Sequence, residues 1–217
     1  VKDLLLLAAS GLAREAAAAD QDEYRIVGIL DDATDMHGRH LSDLPILGGI
    51  DVAVERGAML LVCVGSGRGR RQIVQRLHAI GVGDARFATL VDQSVRIPAT
   101  CSIGVGSILL AGSVLTADVT IGRHVVVMPH VTLTHDDVIA DFATLAAGVS
   151  LGGMVAVGEA AYIGMNASVR ERTVIGDEST VGMGAVVLGN VPANETWVGV
   201  PARSTIPDGP RLLGVGR

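Results

Sequence analysis

Aromatic side chains are almost missing from this chain of 217 residues: one Trp, two Tyr and two Phe make up 2% of it. A core with so few rings has to be narrow and aliphatic. Cysteine is equally scarce. Cys63 and Cys101 are the whole supply, and both sit in apolar runs, which excludes a disulfide framework or a zinc site and reads as two buried thiols. Basic residues are outnumbered, 17 against 23 acidic, for a net charge of −6. Neither half carries a basic block, so the charge pattern argues against a nucleic-acid partner. No run of about 18 consecutive apolar residues is present, and no membrane insertion is expected. The opening apolar run reads as a buried strand rather than a leader, and the expected location is cytoplasmic. No histidine and carboxylate set has the spacing of metal ligands, so no metal is expected.

Hydrophobic residues (49%) and glycine (28 residues) are what the chain has in quantity. From Val91 to Val187 every sixth residue is Val, Ile or Leu, 17 hexads without a slip, and the fifth position of each hexad is small or β-branched except at Asp137. A six-residue period means a parallel β-helix. Each hexad is a short strand and a corner, with its first and fifth side chains turned inward. Three hexads close a coil, so residues 18 apart stack at the strand spacing of about 4.8 Å. Such an array is quasi-one-dimensional, each coil burying its interior only against its neighbours.

The first ninety residues have a different rhythm. Strands are predicted at Leu4–Ala8, Arg25–Leu30, Met59–Val64 and Phe87–Val91, with helices at Leu12–Asp20 and Arg70–Ile80 and a short helical turn at Asp51–Arg56. Strand alternating with helix implies a parallel sheet, a small Rossmann-like α/β unit. Ligands of such sheets bind outside the carboxyl ends of the strands. Three turns fall there: Ser10-Gly11, Asp31-Asp32 and Gly65-Ser66-Gly67. Glycine lets a backbone approach a phosphate and a helix N-terminus attracts its charge, while Asp31 stands at a distance suited to a ribose hydroxyl. The full dinucleotide fingerprint is absent, so ordinary capped turns are an equal reading, and a nucleotide-bearing substrate fits better than a redox dinucleotide. Arg68, Arg70 and Arg71 fit a phosphate clamp or the solvated face of a helix.

One hexad breaks the pattern of the prism. Leu133-Thr134-His135-Asp136-Asp137-Val138 gathers three ionisable residues, with a charge at the inward fifth position. Imidazole titrates near neutrality and a neighbouring carboxylate orients it, which suits general-base work. A polar corner facing solvent is the plainer reading. The 18-residue stack puts Ala117 below His135 and Gly153 above, leaving room for a reacting group. Gly148, Asn166 and Gly184 form another stack, as do Ala146, Gly164 and Gly182, a smooth strip suited to an extended ligand arm. His124 and His130 share the fourth hexad position and read as corner or subunit-contact residues; His37, His40 and His78 read as surface residues.

These features together resemble the left-handed β-helix, hexapeptide-repeat sugar acetyltransferases, the family of the UDP-4-amino-sugar N-acetyltransferases and the sialic acid O-acetyltransferases. The likeness covers about residues 3–206. It rests on Ser10-Gly11, Leu30-Asp31-Asp32, Val64-Gly65 with Arg70, His135 through Phe142, Tyr162 through Asn166, and Gly199-Val200-Pro201-Ala202-Arg203. The resemblance implies a nucleotide-sugar-binding unit over 1–90 and a left-handed β-helix over 91–203, while Pro207, Pro210 and several glycines mark 204–217 as a C-terminal tail. It further implies a homotrimer with sites between neighbouring prisms, acetyl-CoA along the β-helix groove and a nucleotide-linked amino sugar on the N-terminal unit.

His135 matches the family's base and Asp136 its acidic neighbour. Ser10, Gly11, Asp31, Asp32, Gly65, Ser66 and Arg70 match substrate positions. Thr144, Gly153, Gly164, Met165, Asn166, Gly182, Met183, Pro201 and Arg203 match positions on the acetyl-CoA side. Thr144 departs from the pattern, standing where the family has a second histidine. Leu12-Ala13 replaces a His-Gly pair, and Ala8 a glycine. The expected activity is direct N-acetyl transfer from acetyl-CoA, with sugar O-acetylation or a silent nucleotide-sugar-binding scaffold as the alternatives.

Overall fold

The computed structural model describes residues 1–205; most of the expected tail, from residue 206 on, lies outside the described residues. The chain opens with β1 (Lys2–Leu7), α1 (Gly11–Ala18), β2 (Tyr24–Leu30), a hairpin of β3 (His40–Leu41) and β4 (Leu44–Pro45), β5 (Met59–Val62) and α2 (Gly67–Ala79). The sheet is parallel, in the order β2-β1-β5. Its middle strand explains the unbroken leucine run. Leu4 and Leu6 pack with Leu12, Ala13 and Ala16 of α1 on one side, and Leu5 and Leu7 with Val74 and Leu77 of α2 on the other. A strand covered on both faces needs apolar residues at every position.

The short helical turn expected at Asp51–Arg56 is a 3₁₀ helix over Ile50–Glu55. One expectation for this region is revised. The strand predicted at Phe87–Val91 is divided: Phe87 bridges to Leu60 of β5, while Leu90–Val91 pairs with Ile108–Leu109. The hand-over from sheet to prism therefore happens between Phe87 and Leu90.

The prism has three faces, which we number in chain order from the strands Ser102–Ile103, Ile108–Leu109 and Val114–Leu115. Two-residue strands repeat at 18: Thr120 on Val138, Val126 on Thr144, Thr132 on Ser150. The first and fifth hexad positions fill the interior from Leu109 to Val191, mostly with aliphatic side chains, Ser113, Asp137, Thr173 and Ser179 being buried polar exceptions. From Gly106 to Gly184 each corner turns at the fourth hexad position in the left-handed region, through Gly106, Gly112, Asp118, His124, His130, Asp136, Phe142, Gly148, Met154, Ala160, Asn166, Arg172, Glu178 and Gly184. This backbone disfavours side chains. The stack offsets that cost, because from His124 on each corner N–H donates to a carbonyl of the coil before, as Phe142 N does to Arg123 O (2.8 Å), while Gly112 N and Asp118 N donate to Ser94 Oγ and Thr100 Oγ1.

The repeat fails at both ends for identifiable reasons. The hexad at Ile97 forms no strand, and Ile97 is 40% exposed. In the coils above, the second hexad position donates upward, as Thr116 N does to Leu133 O; Pro98 occupies that position and has no N–H. At the far end the spacing drops to 16, pairing Thr180 with Thr196 and Val181 with Trp197. Trp197 thereby covers the end of the aliphatic core. Its strand, Thr196–Val198, closes in an antiparallel pair with Arg203–Ser204. No helix among the described residues is long and apolar enough to cross a membrane.

Candidate active site

The polar hexad lies on the corner between the third and first faces. His135 Nδ1 is 2.8 Å from Asp136 Oδ2, and both side chains are about half exposed. Neighbouring coils hold the backbone: Asp136 N donates to Ala117 O (3.1 Å), and His135 O accepts from Met154 N (2.9 Å). With Asp136 accepting the Nδ1 proton, the lone pair is left on Nε2. That atom faces Gly153 one coil above, where a Cβ would collide with the imidazole. Among the described residues no acceptor takes the Gly153 N–H.

Asp137, the charge at an inward position, is fully buried. Its Oδ2 accepts from Thr134 N (2.8 Å) and its Oδ1 from Val155 N (2.9 Å). Burial pushes its carboxyl up to about 6. It ties this coil to the next and presents nothing to solvent.

The N-terminal unit packs on the second face and the corner leading into it. The outward row of that face is apolar and buried low down, at Leu90, Ile108 and Val126, then Thr144, and opens at Tyr162. Here Gly11, Leu12, Glu15, Gly65, Thr144 and Met165 border a mainly apolar cavity of about 430 Å³. A second groove of about 550 Å³ adjoins it, sharing Gly65 and Tyr162 and reaching Ser66, Arg68 and Thr180. Neither Gly11 nor Gly65 has an atom within 4 Å of where a Cβ would stand.

Four of the polar residues expected here are engaged in holding the turns. Ser10 caps α1, accepting from Ala13 N (3.1 Å) and donating to Cys63 O (2.5 Å). Asp31 accepts from Ala9 N and Ala33 N (2.6 and 2.8 Å). Asp32 pairs with Arg76 (2.6 Å), which holds its carboxyl below the usual range. Ser66 caps α2.

Arg70 requires a correction. It is fully buried, so it reaches no phosphate. Nε donates to His124 O (2.8 Å), Nη1 to Val64 O and Gly65 O (2.9 and 3.0 Å), and Nη2 to Phe142 O, Ala143 O and Thr144 Oγ1 (2.6, 2.9 and 3.0 Å). Burial without a carboxylate partner lowers its pKa to about 10, which still leaves it charged at neutral pH. A guanidinium with five donors in a fixed fork suits this duty. Arg68 and Arg71 are likewise spent on the prism: both pair with Glu178, and Arg71 also with Glu159 (2.9 Å). Thr144 is also revised, since its buried hydroxyl is committed to Gly65 O (3.0 Å) and Arg70.

His124 is a corner residue, as expected, but it is buried against the N-terminal unit. Its ring stacks on Phe142 at 5.2 Å and meets the edge of Phe87 at 4.7 Å. Burial, with Arg70 and Arg123 nearby, lowers its pKa to about 4.

The remaining expected residues lie elsewhere. Met165 and Asn166 stand at the corner between the second and third faces, with Gly164 and Gly182 leading into it and Met183, 74% exposed, one coil above. Arg203 belongs to the terminal pair of strands and Pro201 to the turn between them. Within one chain the third face therefore separates His135 from this corner, and the turns of the N-terminal unit cover the second face. The prism brings together His135, Asp136 and Gly153; the junction brings together Gly11, Gly65, Thr144 and Met165. No single chain unites the two groups. Cys63, with burial pushing its thiol up to about 12, offers no nucleophile. No cluster among the described residues is placed to hold a metal ion. Glu15, Tyr162 and the Arg70 bolt were not anticipated as parts of this junction, although the outward row at 18-residue spacing carries a signal for where the unit docks.

A left-handed parallel β-helix joined to a small parallel sheet is the architecture of hexapeptide-repeat acyl transferases. Residues 154–189 match the family model of the bacterial transferase hexapeptide (six repeats). The chain is similar to the acetyltransferase domain of PglB from Neisseria gonorrhoeae in complex with acetyl coenzyme A, at 28% identity over 94% of this chain and 98% of that one, TM-score 0.85. WeeI from Acinetobacter baumannii matches at 25% identity over 94% and 100% of the two chains, TM-score 0.78. PerB from Caulobacter crescentus, in complex with CoA and GDP-perosamine, shares the fold at 23% identity over 94% and 97%, TM-score 0.82. By fold and repeat the chain is a left-handed β-helix of hexapeptide repeats, similar over nearly its whole length to acetyltransferases of that architecture.

Proposed function

We propose that this protein transfers the acetyl group of acetyl-CoA to the amino group of a nucleotide-linked amino sugar. The observation that carries the reading is the His135–Asp136 pair with Nε2 directed at the bare Gly153 and its free N–H. His135 Nε2 removes a proton from the sugar amine as its nitrogen attacks the thioester carbonyl. Asp136 holds the ring and stabilises the imidazolium. The Gly153 N–H faces the developing oxyanion. When the C–S bond breaks, His135 returns its proton to the departing thiolate, leaving an amide and CoA. No acyl-enzyme is formed. The likeness to the PglB domain, solved with acetyl-CoA, supports the donor.

In this reading residues 1–90 carry the nucleotide sugar at the Gly11 and Gly65 turns, and residues 91–203 carry acetyl-CoA along Gly153, Gly164, Met165, Asn166, Gly182 and Met183. The separation of His135 from the junction cavity within one chain supports a homotrimer, in which a partner's His135 corner meets the cavity. The protein then acts in the cytoplasm, in glycan biosynthesis. The test is acetyl-CoA turnover with UDP-, GDP- and dTDP-linked 4-amino sugars, with His135→Ala as control. Turnover of one of them, lost in the variant, is expected. Acetylation of free sialic acids instead would establish O-transfer, and nucleotide-sugar binding with no turnover would establish a scaffold.

A further inference from the structure

The Thr144 hydroxyl is one of two buried donors that converge on a single carbonyl. Thr144 Oγ1 and Arg70 Nη1 both donate to Gly65 O at 3.0 Å, and Arg70 Nη2 donates in turn to Thr144 Oγ1 at 3.0 Å. Thr144 is 4% exposed and Arg70 is fully buried. Gly65 borders both the junction cavity and the adjoining groove. The next turn residue, Gly67, lies so tightly on the prism that a Cβ would collide with Phe142 O and crowd the Ala160 Cα at 2.9 Å.

A trans peptide is planar, with its C=O and N–H pointing opposite ways. Drawing Gly65 O inward therefore turns the Ser66 N–H outward, and among the described residues no acceptor takes that N–H. We infer that Thr144 is a positioning residue for the third nucleotide-side turn: with Arg70 it holds the Gly65–Ser66 peptide so that the Ser66 N–H faces a phosphate oxygen of the nucleotide. The inference rests on the nucleotide-sugar reading above for the identity of the ligand, but not for the geometry of the turn. It removes Thr144 from the acetyl-CoA side of the site. The hydroxyl does not reach toward the donor; it shapes the acceptor's seat.

The experiment compares wild type with Thr144→Val, which keeps the shape and removes the hydroxyl, and Thr144→Ser, which restores it. Amide hydrogen exchange reads the turn directly, at the Gly69 N–H bonded to Ser66 Oγ and the Arg70 N–H bonded to Ser66 O. Protection should fall in Thr144→Val and persist in Thr144→Ser. Titration calorimetry with UDP, GDP, dTDP and, separately, CoA reads the consequence. The nucleoside diphosphate that wild type binds should weaken roughly tenfold in Thr144→Val, as for the loss of one buried hydrogen bond, with CoA unaffected and Thr144→Ser near wild type. Unchanged protection would overturn the positioning role. Weakened CoA with nucleotide unaffected would overturn it in favour of a donor contact. Wild type binding none of the three nucleotides would sink the nucleotide-sugar reading, while the exchange comparison still decides the geometry.

Discussion

The imidazole of His135 lies against the bare Cα of Gly153, 18 residues further along and one coil above, in space that no other residue type would leave open. A methyl group there displaces the ring from its bond to Asp136. Gly153→Ala should therefore lower kcat by roughly 10²–10⁴, the range of a lost general base, close to the effect of His135→Ala. Gly153 is buried against a half-exposed ring that can swing into solvent, so the melting temperature should hardly move. Full activity in Gly153→Ala would show that the ring works from another rotamer.

The proposed division of the site between chains makes a second prediction. Gly11 opens on the cavity, so Gly11→Trp should block it without disturbing the fold. His135→Ala and Gly11→Trp should each be inactive alone. Co-assembled at random they should recover about a quarter of wild-type activity, because a shared site needs one sound half from each of two protomers. No recovery in mixed oligomers would place both halves of the site in one chain.

Asp137 is expected to matter for stability rather than chemistry. Its two oxygens each accept a backbone N–H, and an amide can accept only one of them. Asp137→Asn should cost about 1–3 kcal/mol at pH 7, the range for a buried donor left unpaired, measured by urea unfolding. Activity per folded molecule should persist.

His124 should make the junction acid-sensitive. It is neutral and buried, with a folded pKa of about 4 against about 6.5 in an unfolded chain. The unfolded state therefore binds the proton first, and the stability this group contributes is fully present above pH 6.5 and lost as pH falls toward 4. The shift corresponds to about 3 kcal/mol. Asp137, with its carboxyl raised to about 6, works in the opposite sense between about pH 4 and 6 and offsets part of the slope. His124→Phe keeps a stacked ring and adds no titrating group, so its stability should fall less between pH 6.5 and 4.5. Parallel profiles for the two proteins would exclude His124 as the source.

The prism was legible in the sequence because its period is a local property. An inward position every six residues follows from the pleat and the corner, and neither depends on distant parts of the chain. The polar hexad at His135 stood out against that period for the same reason, and the stack at 18 named Gly153 as its neighbour. The main strands and helices of the first ninety residues were also readable, apart from the two-residue strands of the β3–β4 hairpin and the division at Phe87–Leu90, which depends on which sheet each half meets.

What the sequence could not reveal was how the two units meet. Arg70 looked like a phosphate clamp, being an arginine near a glycine turn; only packing shows it enclosed by carbonyls of Phe142, Ala143 and His124, up to 73 residues away. Thr144 looked like a missing histidine and proved to be a hydroxyl committed to Gly65. Repetition determined the fold and its exceptional corner from the sequence by itself. The junction was decided by tertiary structure, because a buried polar side chain takes its role from partners that are close in space and remote in the chain.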